Sequence, residues 1–208
     1  MTLAKHGLTE QTLKNLMFGA GVYFKNLKFQ TDQWIGTVLG ATSGGGKTSY
    51  EPQYQDAELD GALVKLRNGT FKMGETCVMT MTVTEISEGV IPTALHLELA
   101  SAQNATGYKK YVSKPSLDDK DYLENMAFVG ELTSGKRVIF IMENALCTSA
   151  LELESKDKEQ ATFELTFECS QVITADDLRV LPIHVYFPDE LGRSKVLSES
   201  EDSIVSEV

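Results

Sequence analysis

The sequence predicts a mainly β fold, a sandwich or partial barrel of antiparallel strands. Three observations predict it: apolar and polar residues alternate with a period of two in several segments, these segments are rich in β-branched and aromatic residues, and the segment 138–142 is apolar throughout. Alternation is typical of a strand with one buried face, and an uninterrupted apolar run is typical of a strand buried on both faces. The alternating segments are residues 77–84, 151–154, 161–168 and 183–187.

Two helices are predicted beside the strands. Thr9 is a residue type that caps helix N-termini, Leu13 begins the apolar side of this first helix, and Gly19 ends it. Pro92 suits the first turn of the second helix, which is predicted to continue to about Ala102. The predicted fold is therefore mainly β, with one packed α-helix and a short N-terminal helix.

The length and the charge favour one acidic domain followed by a tail. The 208 residues fit a β domain over residues 1–188 and an acidic, flexible tail over residues 189–208. The formal net charge is −11; six acids and two bases in the tail account for −4, which leaves −7 on the domain. An acidic surface does not bind the phosphate backbone through counterion release, so the charge argues against a nucleic-acid-binding protein.

No segment of the sequence is typical of a membrane span or of a secretory signal. The apolar runs are far shorter than the roughly 18 residues that a spanning helix needs. The N-terminus lacks an apolar stretch followed by a cleavage site. We therefore expect no membrane insertion, and synthesis in a cytoplasm.

The reactive residue types show no pattern of an active site. Cys77, Cys147 and Cys169 are too few and too scattered for a disulfide framework, and we expect them to be small buried thiols. The three histidines lie far apart without the spacing of a zinc site, and no serine lies in a Gly-x-Ser-x-Gly elbow. The sequence predicts no catalytic, cofactor-binding or metal-binding residue, and hence a protein that is not an enzyme.

One segment, residues 41–48, matches a relaxed form of the P-loop pattern. Its sequence is ATSGGGKT, with Ala41 in the place of the first glycine. A P-loop binds phosphate because a helix begins directly after the loop. Pro52 disfavours a helical conformation at Glu51, so a helix directly after Thr48 is not expected. We interpret the segment as a mobile glycine-rich loop, with nucleotide binding through Lys47 and Thr48 as an alternative of another class.

Seven segments, in their order along the chain, resemble the major tail tube protein of long-tailed (siphovirus-type) bacteriophages. They are FGAGVYFKN (18–26), LGATSGGG (39–46), YEPQY (50–54), ELDGA (58–62), TMTVTEI (80–86), FELTFE (163–168) and LPIHVYFP (181–188). The resemblance extends over most of residues 18–188. The same tube family is shared with contractile tails and related injection machines, so a tube subunit of one of those is the alternative.

The resemblance implies an assembly. Six copies close a ring, and the rings stack into a hollow tube around a tape measure protein, with tail initiator (distal) and terminator proteins as further partners. The genomic DNA passes through the lumen without specific binding. The protein is then part of the virion tail, and no cofactor is implied. Pairing of strand edges between copies would cover the edges that otherwise promote aggregation.

Two groups of residues are candidates for roles in this assembly. We expect the loop from Thr37 to Gln55 to make subunit or ring-stacking contacts. Its candidate contact residues are Gly40, Ala41, Thr42, Ser43, Gly44, Gly45, Gly46, Lys47, Tyr50 and Tyr54. Acids on the non-core faces of two hairpin strands are candidates for the lumen wall, although an outer solvent-facing position fits them equally well. These acids are Glu152, Glu154, Glu164 and Glu168.

A carbohydrate-binding β-sandwich of a tail or adhesin is a further alternative. Sugar rings stack on exposed aromatic side chains, and Trp34 is the single tryptophan of the sequence. A core or interface position for Trp34 is the competing interpretation.

Overall fold

The computed structural model confirms the mainly β, antiparallel fold. It describes residues 8, 11–61, 63–101, 105–153, 157–158, 160–173 and 181–188. Within them the elements are β1 (Val22–Gln30), β2 (Gln33–Val38), β3 (Thr42–Asp56), β4 (Thr70–Val83), α1 (Ile91–Ala94), β5 (Leu97–Leu99), β6 (Tyr111–Ser113), β7 (Leu123–Glu131), β8 (Arg137–Cys147), β9 (Phe163–Cys169) and β10 (Ile183–Tyr186), with 3₁₀ turns at Leu13–Asn15 and Asp119–Asp121.

Eight of these strands form one antiparallel sheet. Seven are ordered β2-β1-β7-β8-β9-β4-β3, and β5 pairs with β6 separately. One side of β8 pairs with β7, and its other side pairs with β10 over Ile139–Met142 and with β9 over Ala145–Cys147. Strands β9 and β10 therefore lie end to end along β8. Because β4 pairs with β9 but not with β10, the sheet divides where β9 ends.

The main core lies on the face of the sheet formed by alternate residues of β4 and β9. Burying a side chain of this size contributes about 1.5–3 kcal/mol. From these two strands the core contains Cys77, Met79, Met81, Val83, Phe163, Leu165 and Phe167. A smaller apolar cluster on the opposite face contains Leu27, Ala127, Ile139 and Ile141. Strand β8 contributes to both clusters, which confirms the prediction that its apolar run is buried on both faces.

Both predicted helices are shorter than expected. The N-terminal one is a single 3₁₀ turn, Leu13–Asn15, and Leu13 is 74% exposed, so no packed apolar side stabilises a longer helix. Thr9, its predicted cap, lies outside the described residues. The second is the four-residue α1, which ends because His96 adopts a positive φ of 51° and the chain then enters β5. Its predicted end, Ala102, is also outside the described residues.

The prediction of a mobile glycine-rich loop is wrong, because most of it is part of β3. This strand pairs with β4 from Gly46 opposite Met81 to Asp56 opposite Thr70. A bulge between Thr42 and Gly46 accommodates the glycines, and Gly44 and Gly45 there have positive φ angles of 75° and 80°. Glycine is the residue that adopts such angles without strain.

The predicted strand at 151–154 is also wrong. Residues 151–153 lie outside the strands, and Glu154 is outside the described residues. Strand β9 pairs instead with the end of β8, with Phe167 opposite Cys147. Leu151 packs against the main core from the connection between the two strands, whereas Leu153 is exposed. The alternation that indicated a strand thus comes from one leucine that packs against the core, Leu151, and one that is exposed, Leu153.

Substituting Gly46 by alanine is expected to lower the free energy of unfolding by about 1–3 kcal/mol. A Cβ atom there would lie 2.3 Å from the hydroxyl oxygen of Tyr23 and 2.7 Å from the carbonyl oxygen of Thr80, so the buried tyrosine would have to move. Gly74→Ala, in the partner strand β4, is the matched control, since its Cβ would meet the end of Gln53 at 3.5 Å. Urea denaturation measures both variants, and equal midpoints would contradict the prediction.

Candidate assembly surfaces

A two-stranded arm extends beyond the sheet. Strand β9 pairs with β4 only over Val78–Val83, whereas β3 and β4 stay paired with each other as far as Asp56 opposite Thr70. We call residues 50–76 the arm and residues 57–69 its tip. A two-stranded hairpin is marginally stable on its own in water, so further contacts must hold it.

A polar network holds the base of the arm. The hydroxyl of Tyr50 donates a hydrogen bond of 2.9 Å to Oε2 of Glu75. The ammonium of Lys72 donates to the hydroxyl of Tyr50 at 2.9 Å and forms an ion pair with Glu75. The hydrogen bond to Glu75 is the main cause that raises the pKa of Lys72 above its usual value, so the Lys72 ammonium keeps its proton near neutral pH. It ties β3 to β4 across the hairpin.

The tip of the arm is closed by a few polar contacts. The Ala57 amide donates to the Gly69 carbonyl at 2.7 Å, and the hydroxyl of Thr70 donates to Asp56 at 2.6 Å. The ammonium of Lys65 pairs with the same Asp56 carboxylate at 2.8 Å and, by its hydrogen bond, lowers the pKa of that group. The side chains of the tip therefore have a defined backbone to project from.

Large apolar side chains of the arm are exposed. Leu63 is 99% exposed and Val64 is 77% exposed, so neither contributes to a core of this subunit. A concentration of exposed apolar groups on one extension is typical of a protein-contact surface. The exposed apolar residues of the arm and its tip are Tyr50, Tyr54, Leu59, Leu63, Val64, Leu66, Phe71 and Met73.

The strand order of the sheet ends at edge strand β2 on one side and at edge strand β3 on the other. An edge strand presents unpaired backbone donors and acceptors that can pair with another chain. In β2, Ile35 and Val38 are each more than half exposed. No strand of the described part of the chain covers either edge. Both edges are therefore candidates for pairing between copies.

The face of β4 and β9 opposite the main core is polar. Thr80 and Thr166 lie opposite each other with their hydroxyl oxygens 3.3 Å apart. Glu164 and Glu168 are exposed on the same face, since they alternate with the core residues of β9, and Glu168 accepts a hydrogen bond of 3.0 Å from Thr148. The structure thus brings two of the four predicted lumen acids together. Glu152 is exposed on the connection before β9, outside the strands.

The structure separates the predicted contact residues into two groups. Gly40 packs against the core, where a Cβ would lie 3.2 Å from Val90, and the bulge residues follow it. Lys47 is exposed on the edge strand, and Tyr50 and Tyr54 are in the arm. The residues that sequence reasoning missed are the apolar side chains of the tip. The signal was a group of apolar residues between 59 and 66 that fits no strand or helix period.

The alternatives find little support in the geometry. Thr48 lies opposite Met79 within β3, which continues to Asp56, so no helix begins after the P-loop-like segment. Among the described residues, no group of three or more His, Cys, Asp or Glu could hold a metal ion. No described helix is long and apolar enough to cross a membrane.

Trp34 is part of an aromatic group over the smaller apolar cluster. Its ring centroid is 4.9 Å from that of Tyr186, edge to face, and 5.2 Å from that of Phe29. Trp34 is half-buried and packs against the cluster that contains Ile139 and Ile141. The position fits a structural role better than that of a free stacking platform for a sugar.

Among the solved structures that are similar to this chain are two chains from gene transfer agent particles. No protein-family model and no curated protein matches the chain. A chain from the virion of a native gene transfer agent particle has a TM-score of 0.41 at 10% identity, covering 76% of this chain and 96% of that one. A chain from the tail of an empty gene transfer agent particle, with C6 symmetry, has a TM-score of 0.36 at 7% identity, covering 74% and 94%.

Proposed function

We propose that this chain is the structural subunit of a phage tail tube, in which six copies close a ring and the rings stack into a hollow tube through which DNA is delivered. The observation that carries the proposal is the arm, whose apolar residues are exposed in the single subunit. The open edges of the sheet and the ordered segments of the sequence support it. The subunit has no catalytic role and needs no cofactor.

Ring closure uses the two edges of the sheet. Because β2 and β3 are at opposite ends of the strand order, an edge of one copy can pair with the other edge of the next copy. Such a head-to-tail contact closes a ring when the rotation between copies completes a circle. The exposed Ile35 and Val38 of β2 are then covered by the neighbouring subunit.

Stacking of the rings uses the arm. The tip places Leu59, Leu63, Val64 and Leu66 beyond the sheet, where they meet no core of their own subunit. Burying one such side chain contributes about 1.5–3 kcal/mol, part of which offsets the entropy lost on association. The six arms of one ring bind the next ring at the same time, so that weak single contacts together give a high affinity between rings.

The lumen wall in this proposal is the polar face of β4 and β9 with Glu164 and Glu168. Carboxylates release no counterions from DNA, so the DNA slides past such a wall instead of binding to it. The tape measure protein fills the lumen before the DNA, and initiator and terminator proteins bind at the ends. The place of the assembled protein is the virion tail, after synthesis in the host cytoplasm.

Electron microscopy of the concentrated, purified chain tests the proposal. We expect rings and tubes, formed alone or after tail initiator proteins are supplied. Monomers that persist under all these conditions would reject it. A tube of a contractile tail or of an injection machine would give the same rings. Calorimetry with ATP and magnesium, for wild type and Lys47→Ala, tests the nucleotide-binding alternative, for which we expect no heat of binding.

A further inference from the structure

Two of the three cysteines lie opposite each other on neighbouring strands. Strands β4 and β9 pair with Met79 opposite Phe167 and Val78 opposite Glu168. Continuing this register by one residue places Cys77 opposite Cys169. Both side chains lie on the core face, because they continue the alternation of buried residues along their strands. The pair is located where the two strands separate at the base of the arm.

The strand pairing brings these two residues near the spacing of a disulfide. The Cys77 amide donates a hydrogen bond of 3.3 Å to the Sγ of Cys169, so the thiol of Cys169 already points across to β4. Residues opposite each other in an antiparallel pair have Cβ atoms about 4.5–5.5 Å apart, close to the roughly 3.5–4.5 Å of a disulfide.

The third cysteine does not compete for this bond. Cys147 lies opposite Phe167, and is therefore diagonal to Cys169 at a separation of about 7–8 Å. Its Sγ is instead 3.5 Å from the hydroxyl oxygen of Ser149. Cys147 is thus a matched control, a cysteine of the same core without a partner in reach.

A small reagent can reach the pair. Cys169 is half-buried, unlike the fully buried Cys77. Cys77 also lines a cleft of about 380 Å³ between the base of the arm and β10, whose wall includes Tyr50 and Ile183.

We propose that Cys77 and Cys169 form a modification site, which a low-molecular-weight disulfide such as oxidised glutathione converts to a cross-strand disulfide. The Cys169 thiolate attacks the reagent, forms a mixed disulfide and releases one small thiolate. The Cys77 thiolate then attacks Sγ of Cys169 and releases the second. The two cysteines lose two protons and two electrons, and the reagent takes up both as two small thiols.

The second step is expected to be slow near neutral pH. In the reduced protein, burial and the neighbouring Cys169 and Glu75 raise the pKa of Cys77 to about 11, and burial, the largest cause, remains when Cys169 is a mixed disulfide. The thiolate is the attacking form. At pH values below the pKa of Cys77, each increase of one pH unit should therefore raise the rate of closure about tenfold. The disulfide would join residues 92 apart in the sequence and hold β9 to β4 at the base of the arm. A crosslink over so long a segment raises the thermal midpoint.

Intact-mass spectrometry of the full chain tests the proposal. After incubation with oxidised glutathione at mildly alkaline pH, we expect wild type and Cys147→Ala to lose two hydrogens and carry no adduct. Cys77→Ala should stop as a glutathione adduct of Cys169, and Cys169→Ala should not form the bond. Peptide mapping of the oxidised wild type identifies the bond without relying on any variant. A wild type that ends as a glutathione adduct, that stays unmodified, or that links Cys147, would overturn the proposal.

Discussion

Replacing the tip of the arm, residues 57–69, by a two-residue Asn-Gly turn is expected to abolish tube assembly and to leave a folded monomer. Asp56 and Thr70 lie opposite each other at the end of the β3–β4 ladder, so a two-residue turn joins them without a change of register. None of the described side chains of the tip belongs to either apolar cluster. The monomer loses only local contacts, such as the Asp56–Lys65 ion pair.

Circular dichroism and gel filtration measure the fold of this variant, and electron microscopy measures its tubes. A second pair of variants keeps the length of the tip and separates apolar contact from loop length. Serine at the four exposed apolar positions of the tip should abolish tubes, whereas Asp60→Ser with Arg67→Ser, also exposed, should leave them. Tubes of normal length from the variant with four serines would refute the role of the arm. The four tip positions that are replaced by serine are Leu59, Leu63, Val64 and Leu66.

The sequence predicts the strands whose two faces differ in environment. In β4 and β9, one face meets the core and the other is polar, so alternation appears directly in the residue order. In β8 both faces are covered, and the sequence shows an apolar run. Such strands can be predicted from the order of apolar and polar residues, because each buried position of the strand needs an apolar side chain.

The long strand β3 could not be predicted from local preferences. Its glycines and Pro52 are residue types that disfavour strands, yet pairing with β4 extends them. Proline is tolerated because β3 is an edge strand, where one side of the backbone needs no partner. The partner strand, far along the chain, decides the structure here, and a single sequence does not show that pairing.

The candidate contact surface was equally hidden, since a leucine has the same sequence signature whether it is buried or exposed. Leu165 is fully buried because β9 lies between β4 and β8, while Leu63 is almost fully exposed. The difference arises because β9 ends at Cys169 and leaves the arm with two strands. Where one strand stops thus decides which apolar residues remain for a partner.

Phe167→Ala is expected to lower the free energy of unfolding by about 3–5 kcal/mol, a large part of the roughly 5–15 kcal/mol that stabilises a typical domain. Phe167 has no exposed surface and lies in the middle of the core, between Met79 of β4 and Cys147 of β8. The substitution leaves a cavity that rigid strands on both sides cannot fill. We therefore expect partial unfolding already at low urea concentration.

Glu168→Ala is the matched control, one residue further along the same strand. Its side chain is on the exposed polar face and its hydrogen bond to Thr148 is at the surface, so a change within about 0.5 kcal/mol is expected. Urea denaturation followed by circular dichroism compares the two variants. Similar losses of unfolding free energy in the two variants would contradict the assignment of the two faces of β9. They would also contradict the location of Glu164 and Glu168 on the solvent-exposed face. A large loss of stability for Phe167→Ala alone would show that alternate residues of β9 face the core on one side and the candidate lumen wall on the other.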